Sequence, residues 1–423
     1  MTTTISDVRA AVTAAVQAAK DASRAVATAS TTQKDRALRA MAAHLRQRTP
    51  AILEANRADV AEATAAGLPA PLVERLTLTE ARMQELIASV DAVAALPDPV
   101  GQVIRSWRQP NGMQIEKVRV PLGVVGIIYE SRPNVTSDCA SLCLKSGNAV
   151  VLRGGSESFR SNRAIGDALS AALAQEGLPA AAVTVVPVPD RAGVDALLRL
   201  DQLIDVIIPR GGEALIQRIM ETSRIPVIKH AKGVCHVYVD QQADLAMAAK
   251  IVVNAKCQRP STCNAMETLL VHERVAHVFV PDIAKQLQQA GVELRGDAAT
   301  RALVPTAATA TEEDWSTEYL ALVLSVRIVP SLEAAMEHIR RYGSAHSDAI
   351  VTQDQAAADR FVRDVDSAAV FVNASTRLSD GYQFGLGAEI GISTGRLHAR
   401  GPMGLEELTT YKYVVRGTGQ LRA

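Results

Sequence analysis

Neither sign of charge prevails in this 423-residue chain, where 45 lysines and arginines stand against 45 aspartates and glutamates. Without a net field there is no long-range attraction for nucleic acid or an anionic membrane, so small molecules and further copies of the chain are the partners to expect. Long apolar runs are missing too, and none approaches the ~20 residues of a transmembrane helix. The start, Met-Thr-Thr-Thr-Ile-Ser-Asp, lacks the basic and apolar regions of a secretory signal, and none is expected. Cysteine is scarce and unpatterned. The five, at 139, 143, 235, 257 and 263, are odd in number and fit no zinc-ribbon or finger spacing, which suits reduced thiols in a cytoplasm and gives no metal site. Absent as well is a Gly-x-Gly-x-x-Gly opening a helix, the usual dinucleotide fingerprint. Gly385-Leu-Gly387-Ala-Glu-Ile-Gly391 comes near it but has the wrong spacing and no helix after it.

What is present is core material. A hydrophobic content of 48% over this length is enough for two or three domains. Residues from about 5 to 96 read as helix throughout, Ala-rich with apolar positions returning every three or four residues, and Ser30-Thr-Thr-Gln33 fits a capping box. Such a preamble is expected to pack onto a following domain. From 102 to 120 alternating residues around Pro110-Asn-Gly112 predict a hairpin. Strands at 124–129, 149–152, 183–188 and 203–208 then alternate with helices near 135–146, 158–175 and 191–200, which predicts a parallel, doubly wound sheet. Its ligands belong at the carboxyl ends of the strands, at Glu130-Ser-Arg-Pro-Asn134, Arg153-Gly-Gly-Ser-Glu157 and Pro209-Arg-Gly-Gly-Glu213. The two Gly-Gly turns are also readable as plain tight connections. Apolar strands near 269–272, 320–329, 348–352 and 368–373 predict a second sheet.

Between the two series lies Asn254-Ala-Lys-Cys-Gln-Arg-Pro-Ser-Thr-Cys263-Asn-Ala-Met-Glu-Thr268, a small polar turn broken by proline, after a helical run and before the strand-like Leu269–His272. A cysteine so placed is a candidate nucleophile, although a free cysteine is most often a packed, small hydrophobe. Cys257 is a rival nucleophile, or a packed residue of the preceding helix.

Pro121-Leu-Gly-Val-Val-Gly-Ile-Ile128, Asn134, Lys145-Ser-Gly-Asn-Ala-Val-Val-Leu-Arg153, Cys263 and Glu318 follow the order of features in the aldehyde dehydrogenase superfamily, which the chain resembles over nearly its whole length. Arg132-Pro-Asn-Val, Gln258-Arg-Pro-x-x-Cys-Asn-Ala and Ala335 to Ile350, with His338 and His346, narrow the likeness to the branch that reduces L-glutamyl 5-phosphate in proline biosynthesis. The resemblance implies two doubly wound α/β domains and a small β element for oligomerisation. Residues 1–101 with 122–229 would bind the cofactor, 230–394 would carry the nucleophile, and 102–121 with 395–423 would join a homo-oligomer. The upstream kinase that makes the acyl phosphate is a further candidate partner.

The implied reaction consumes NADPH and releases glutamate 5-semialdehyde, NADP and phosphate. Cys263 would form a thioester, with the Asn134 amide and the Cys263 backbone N–H as oxyanion donors. Asn134 taken alone would read as a turn residue after Pro133. Glu318 would hold the nicotinamide ribose, Arg153 and Ser156 the adenosine ribose with its 2′-phosphate, and Gly211 and Gly212 the pyrophosphate. Arg132, Arg259, Ser375 and Arg377 are candidates for the substrate's charged groups. His338 and His346 are expected to be structural. Oxidative members activate water with a glutamate, whereas the matching segment here, Lys229-His-Ala-Lys-Gly-Val-Cys-His236, has no carboxylate, and His230 near that place reads as structural or as a polar lining residue. Two alternatives stay open: another NAD(P)-dependent semialdehyde dehydrogenase, for which such a glutamate is expected, and a non-catalytic scaffold relative.

Overall fold

Thr4 begins the first helix by a reciprocal cap. Its hydroxyl accepts the Asp7 N–H at 3.2 Å while the Asp7 carboxylate accepts the Thr4 N–H at 3.0 Å, an arrangement worth about 1 kcal/mol. In this computed structural model, which describes residues 4–229 and 232–422, helix α1 (Ile5–Thr28) turns Val8, Val12, Val16 and Ala19 inward. They pack with Val124, Ile128, Ala149 and Val151 of the first sheet, so the helical preamble is part of that sheet's cover.

Helices α2 (Thr31–Ala65), α3 (Ala70–Leu76) and α4 (Glu80–Ala95) follow. Ser30 caps α2 by accepting the Gln33 N–H at 3.2 Å, but the Gln33 side chain donates to the Glu176 carbonyl instead. The expected capping box is therefore half formed, because a tertiary acceptor competes for the amide. Strands β1 (Val103–Arg108) and β2 (Gln114–Pro121) form the expected hairpin, with Gly112 at φ 92° in the turn.

The first parallel sheet contains β3 (Val124–Tyr129), β4 (Ala149–Arg153), β5 (Val183–Val185) and β6 (Val206–Arg210), in the order β5-β4-β3-β6. Helices α5 (Asn134–Lys145), α6 (Phe159–Gln175), α7 (Ala192–Leu197) and α8 (Glu213–Thr222) alternate with them. Chain order reverses between β3 and β6, and a ligand crevice forms at such a reversal. Strand β5 stops three residues short of the expected 188, with Pro187 and Pro189 just beyond it, since proline lacks the ladder donor. The strand expected at 203–208 is displaced to 206–210, where Asp205 ends the approach by accepting the Val124 N–H at 2.7 Å.

The second sheet is larger. It contains β7 (Cys235–Val239), β8 (Met266–His272), β9 (Glu293–Gly296), β10 (Ala308–Thr309), β11 (Val323–Val329), β12 (Ser347–Val351) and β13 (Ala369–Val372), in the order β10-β9-β11-β8-β7-β12-β13 with every pair parallel. Helices α9 (Leu245–Cys257), α10 (Glu273–Gln289), α11 (Ala298–Leu303), α12 (Leu332–Tyr342) and α13 (Gln355–Asp364) join these strands. Every residue of β7 and β8 is buried, as expected of central strands covered on both faces. One core lies against α9 and α10 and another against α12 and α13.

After the short pair β14 (Ile392–Ser393) and β15 (Gly401–Pro402), strand β16 (Thr409–Arg416) pairs antiparallel with β2, giving the order β1-β2-β16. Met1–Ile228, Leu386–Gly391 and Met403–Ala423 make one compact unit, and Lys229–Gly385 with Ile392–Pro402 the other. Hairpin and last strand thus group with the first sheet. Both units have the doubly wound α/β architecture expected from the sequence.

Candidate active site

In the second unit, α9 is started by Asp244, whose carboxylate accepts the N–H groups of Ala246 and Met247 at 2.9 and 3.0 Å. It ends at Cys257, and the chain then folds into a tight turn before β8. Thr262 Oγ donates to the Arg259 carbonyl at 2.8 Å, and the Ala265 N–H donates to the Thr262 carbonyl at 3.0 Å. Buried Asn264 donates to the Ser379 carbonyl at 2.9 Å and accepts from the Arg377 guanidinium, which also donates to Gln258 Oε1 at 2.9 Å. Half-buried Cys263 is thereby fixed at the amino end of β8.

Gly233 lies directly against it. A Cβ added there would stand 1.8 Å from the Cys263 carbonyl oxygen, so only glycine lets these segments touch. The Gly233 N–H donates to Glu318 Oε1 at 2.9 Å, and the Cys235 thiol donates to the Cys263 carbonyl at 3.2 Å. One residue without a side chain thus joins the candidate nucleophile to the candidate cofactor carboxylate.

Charge around the turn is asymmetric. Burial, and then the neighbouring Arg259, push the Arg377 guanidinium below its ordinary value, while Cys263 pulls the other way, so both Arg259 and Cys263 lie near enough to Arg377 to act on its charge. The other cysteines are poor candidates. Burial pushes Cys139 up to about 12, Cys143 and Cys235 well above the ordinary thiol range, and Cys257 upward. Cys257 also packs against the α9 core. Ser375 accepts the Arg377 N–H at 3.3 Å as the cap of a short turn. Buried His338 accepts from the Arg327 guanidinium at 2.9 Å, has its ring in contact with those of Trp315 and Tyr342, and is pushed down to about 2, chiefly by burial. His346 bonds Ser347 Oγ at 2.9 Å. His230 lies outside the described residues.

The first unit holds the other candidates at its strand ends. Exposed Asn134 is the first residue of α5, and its amide donates to Asp138 Oδ2 at 3.0 Å. The Asp138 carboxyl is itself raised by burial. Arg132 is exposed. Arg153 closes β4 almost fully buried, its guanidinium donating to the carbonyls of Gly154, Pro189 and Asp190 at 2.7, 2.8 and 3.2 Å. Ser156 is exposed in the following turn. Gly212 caps α8 with no side-chain acceptor, and its N–H donates to Glu130 Oε2 at 2.8 Å. A Cβ on Gly211 would stand 2.6 Å from the same oxygen. The two glycines thus precede a ten-residue helix with no side-chain cap, at the sheet's order reversal, and the Glu130 carboxylate stands at its start.

The structure thus groups Cys263, Arg259, Glu318, Ser375 and Arg377 in one unit, and Asn134, Arg132, Arg153, Ser156, Gly211 and Gly212 in the other. Sequence reasoning missed Gly233 and the buried pair Lys256 and Glu267. For the pair, a signal existed in Glu267, a carboxylate set in the strand-like run Ala265 to Val271, whose other residues are apolar apart from Thr268.

A profile of the aldehyde dehydrogenase family matches residues 2–302. The gamma-glutamyl phosphate reductase of Thermodesulfovibrio yellowstonii is 55% identical over 404 residues, covering 96% of this chain and 97% of its own. That of Carboxydothermus hydrogenoformans is 56% identical with the same coverage. The crystal structure of gamma-glutamyl phosphate reductase from Thermotoga maritima superposes with a TM-score of 0.96 at 46% identity, over 97% of this chain and 100% of that one. This chain belongs to the aldehyde dehydrogenase family and, within it, to the gamma-glutamyl phosphate reductases.

Proposed function

We propose that the protein reduces L-glutamyl 5-phosphate to glutamate 5-semialdehyde with NADPH, releasing phosphate, through a thioester on Cys263. The observation that carries the mechanism is the closed turn holding Cys263 against Gly233, whose N–H binds Glu318. The Cys263 thiolate attacks the acyl carbonyl carbon, and phosphate departs with the electrons of the C–O bond. Arg377 and Arg259 supply positive charge for the substrate's anionic groups. Reduced nicotinamide, when bound, supplies the hydride that the thioester carbonyl accepts. Cys263 then leaves as thiolate and frees the aldehyde. The segment 229–236 has no carboxylate to activate water, which favours reduction of the thioester over its hydrolysis.

The Asn134 amide and the Cys263 backbone N–H are assigned to the oxyanion. Asn134→Ala is expected to lower kcat about 100-fold with an unchanged melting curve, read by steady-state kinetics beside thermal unfolding. On the cofactor side, the family sets a nicotinamide nucleotide, and the preference for the 2′-phosphate rests on the exposed Ser156 hydroxyl in the turn that follows the buried Arg153 cation. The reverse assay tests both readings. Glutamate semialdehyde should reduce NADP faster than NAD, and only with inorganic phosphate present. Turnover independent of phosphate would instead mark a hydrolytic semialdehyde dehydrogenase.

Strands β1 and β16 are the two edges of their sheet, and Ile104, Tyr411, Tyr413 and Val415 on them are exposed. Unpaired edges with apolar side chains invite a second copy. Light scattering should give at least twice the chain mass of 44.9 kDa, and a particle of that mass alone would refute the assembly. The same measurement with the upstream kinase added reads any complex between them. Thiols at all five cysteines suit a cytoplasmic setting.

A further inference from the structure

Lys256 and Glu267 have no part in the chemistry above, although both are fully buried in the second unit with Nζ 2.5 Å from Oε2. Lys256 is the last residue but one of α9, and Glu267 is the second residue of β8. The turn that carries Cys263 runs between them, so the ion pair closes that turn at its neck. Glu267 reaches further. Its other oxygen accepts the Leu320 N–H at 3.2 Å, two residues beyond Glu318, and Lys256 Nζ stands 5.9 Å from the centre of the Tyr319 ring. Leu320 has φ 53°, a left-handed conformation that a non-glycine residue keeps only where its surroundings impose it.

Stability alone does not explain the pair. Two buried charges bring a desolvation penalty, and apolar side chains of similar volume often serve a core as well or better. Apolar side chains would not hold the end of α9, the start of β8 and the Leu320 N–H in one register, because only the directional bonds of the carboxylate do that. We propose that Lys256 and Glu267 are positioning residues, a buried tie that sets the Cys263 turn and the Glu318 segment at a fixed spacing. The proposal rests on the roles assigned above to Cys263 and Glu318.

Two variants separate positioning from folding. Lys256→Met frees the neck of the turn but leaves Glu267 on Leu320, so the alkylation rate of Cys263 by iodoacetamide in cofactor-free protein should change about threefold or more, with NADPH affinity by fluorescence titration nearly kept. Lys256→Met/Glu267→Leu removes both charges together and should melt within a few degrees of the parent protein, yet bind NADPH about tenfold more weakly and also show the altered alkylation rate. A folded double variant with parental NADPH affinity and alkylation rate overturns the proposal. If the double variant does not fold, Lys256→Met decides alone, and a parental alkylation rate there overturns it equally. Adduct mapping assigns the rate to Cys263. The nucleophile itself is tested apart, by Cys263→Ala: activity retained there removes that reading while leaving the binding and alkylation results to stand on their own.

Discussion

Cys263→Ala protein should fold and bind cofactor as before and turn over at least about 10,000-fold more slowly, the scale on which enzymes that lose their nucleophile retain only binding and electrostatic assistance. The reason is chemical. Without the thiolate there is no thioester, and the acyl phosphate would have to accept a hydride directly. The loss should not be a folding defect, because the side chain is small and half-buried, and the turn is held by Thr262, Asn264 and Arg377. Steady-state assays beside thermal unfolding separate the two. Intact protein mass after incubation with acyl phosphate, without cofactor, should show a glutamyl adduct in the parent and none in the variant. Cys257→Ser is the matched control and should retain both activity and adduct, since Cys257 ends α9 against the core.

Gly233→Ala is expected to lose about 100-fold in kcat, the penalty of moving a reacting group by roughly 1 Å. The added methyl carbon would lie 1.8 Å from the Cys263 carbonyl oxygen and 2.7 Å from its Cα, so one backbone must shift. Flexible side chains cannot absorb this overlap, because every atom met belongs to main chain. The shift also lengthens the Gly233 N–H contact with Glu318, so the KM for NADPH should rise with the fall in kcat. Overpacking of this kind lowers stability by about 1–3 kcal/mol. Kinetics at a temperature well below the variant's melting point therefore isolate the catalytic part. Parental kcat and KM would show that the Cys263 turn accommodates the methyl group without losing its geometry.

Much of this architecture was legible because local signals agree with the tertiary fold. The Pro110-Asn-Gly112 turn, the glycines that end α5 and α6, and the apolar runs of the two sheets each specify an element by themselves. Strand β7 was not anticipated. It is short, it begins Cys235-His236, and its polar start is stabilised by a partner remote in sequence, Asp348, whose carboxylate accepts the His236 N–H at 3.0 Å. Gly233 could not be ranked for the same reason, since its importance lies in a neighbour thirty residues away. The motif residues were recognisable by type and order. Their bonds were not, and Arg153 shows the difference: a cation read as facing a ligand donates to three backbone carbonyls.

The pairing of β16 with β2 has a consequence for synthesis. Strand β2 leaves the ribosome before the second unit, and its partner at Thr409–Arg416 only after it. Until then β2 has one open edge, and the whole second unit is translated in the interval. An exposed edge is where a nascent chain pairs wrongly with its neighbours. Completion of the first unit thus waits for synthesis of the second, and a fragment that stops at residue 228 would lack the strand that pairs with β2.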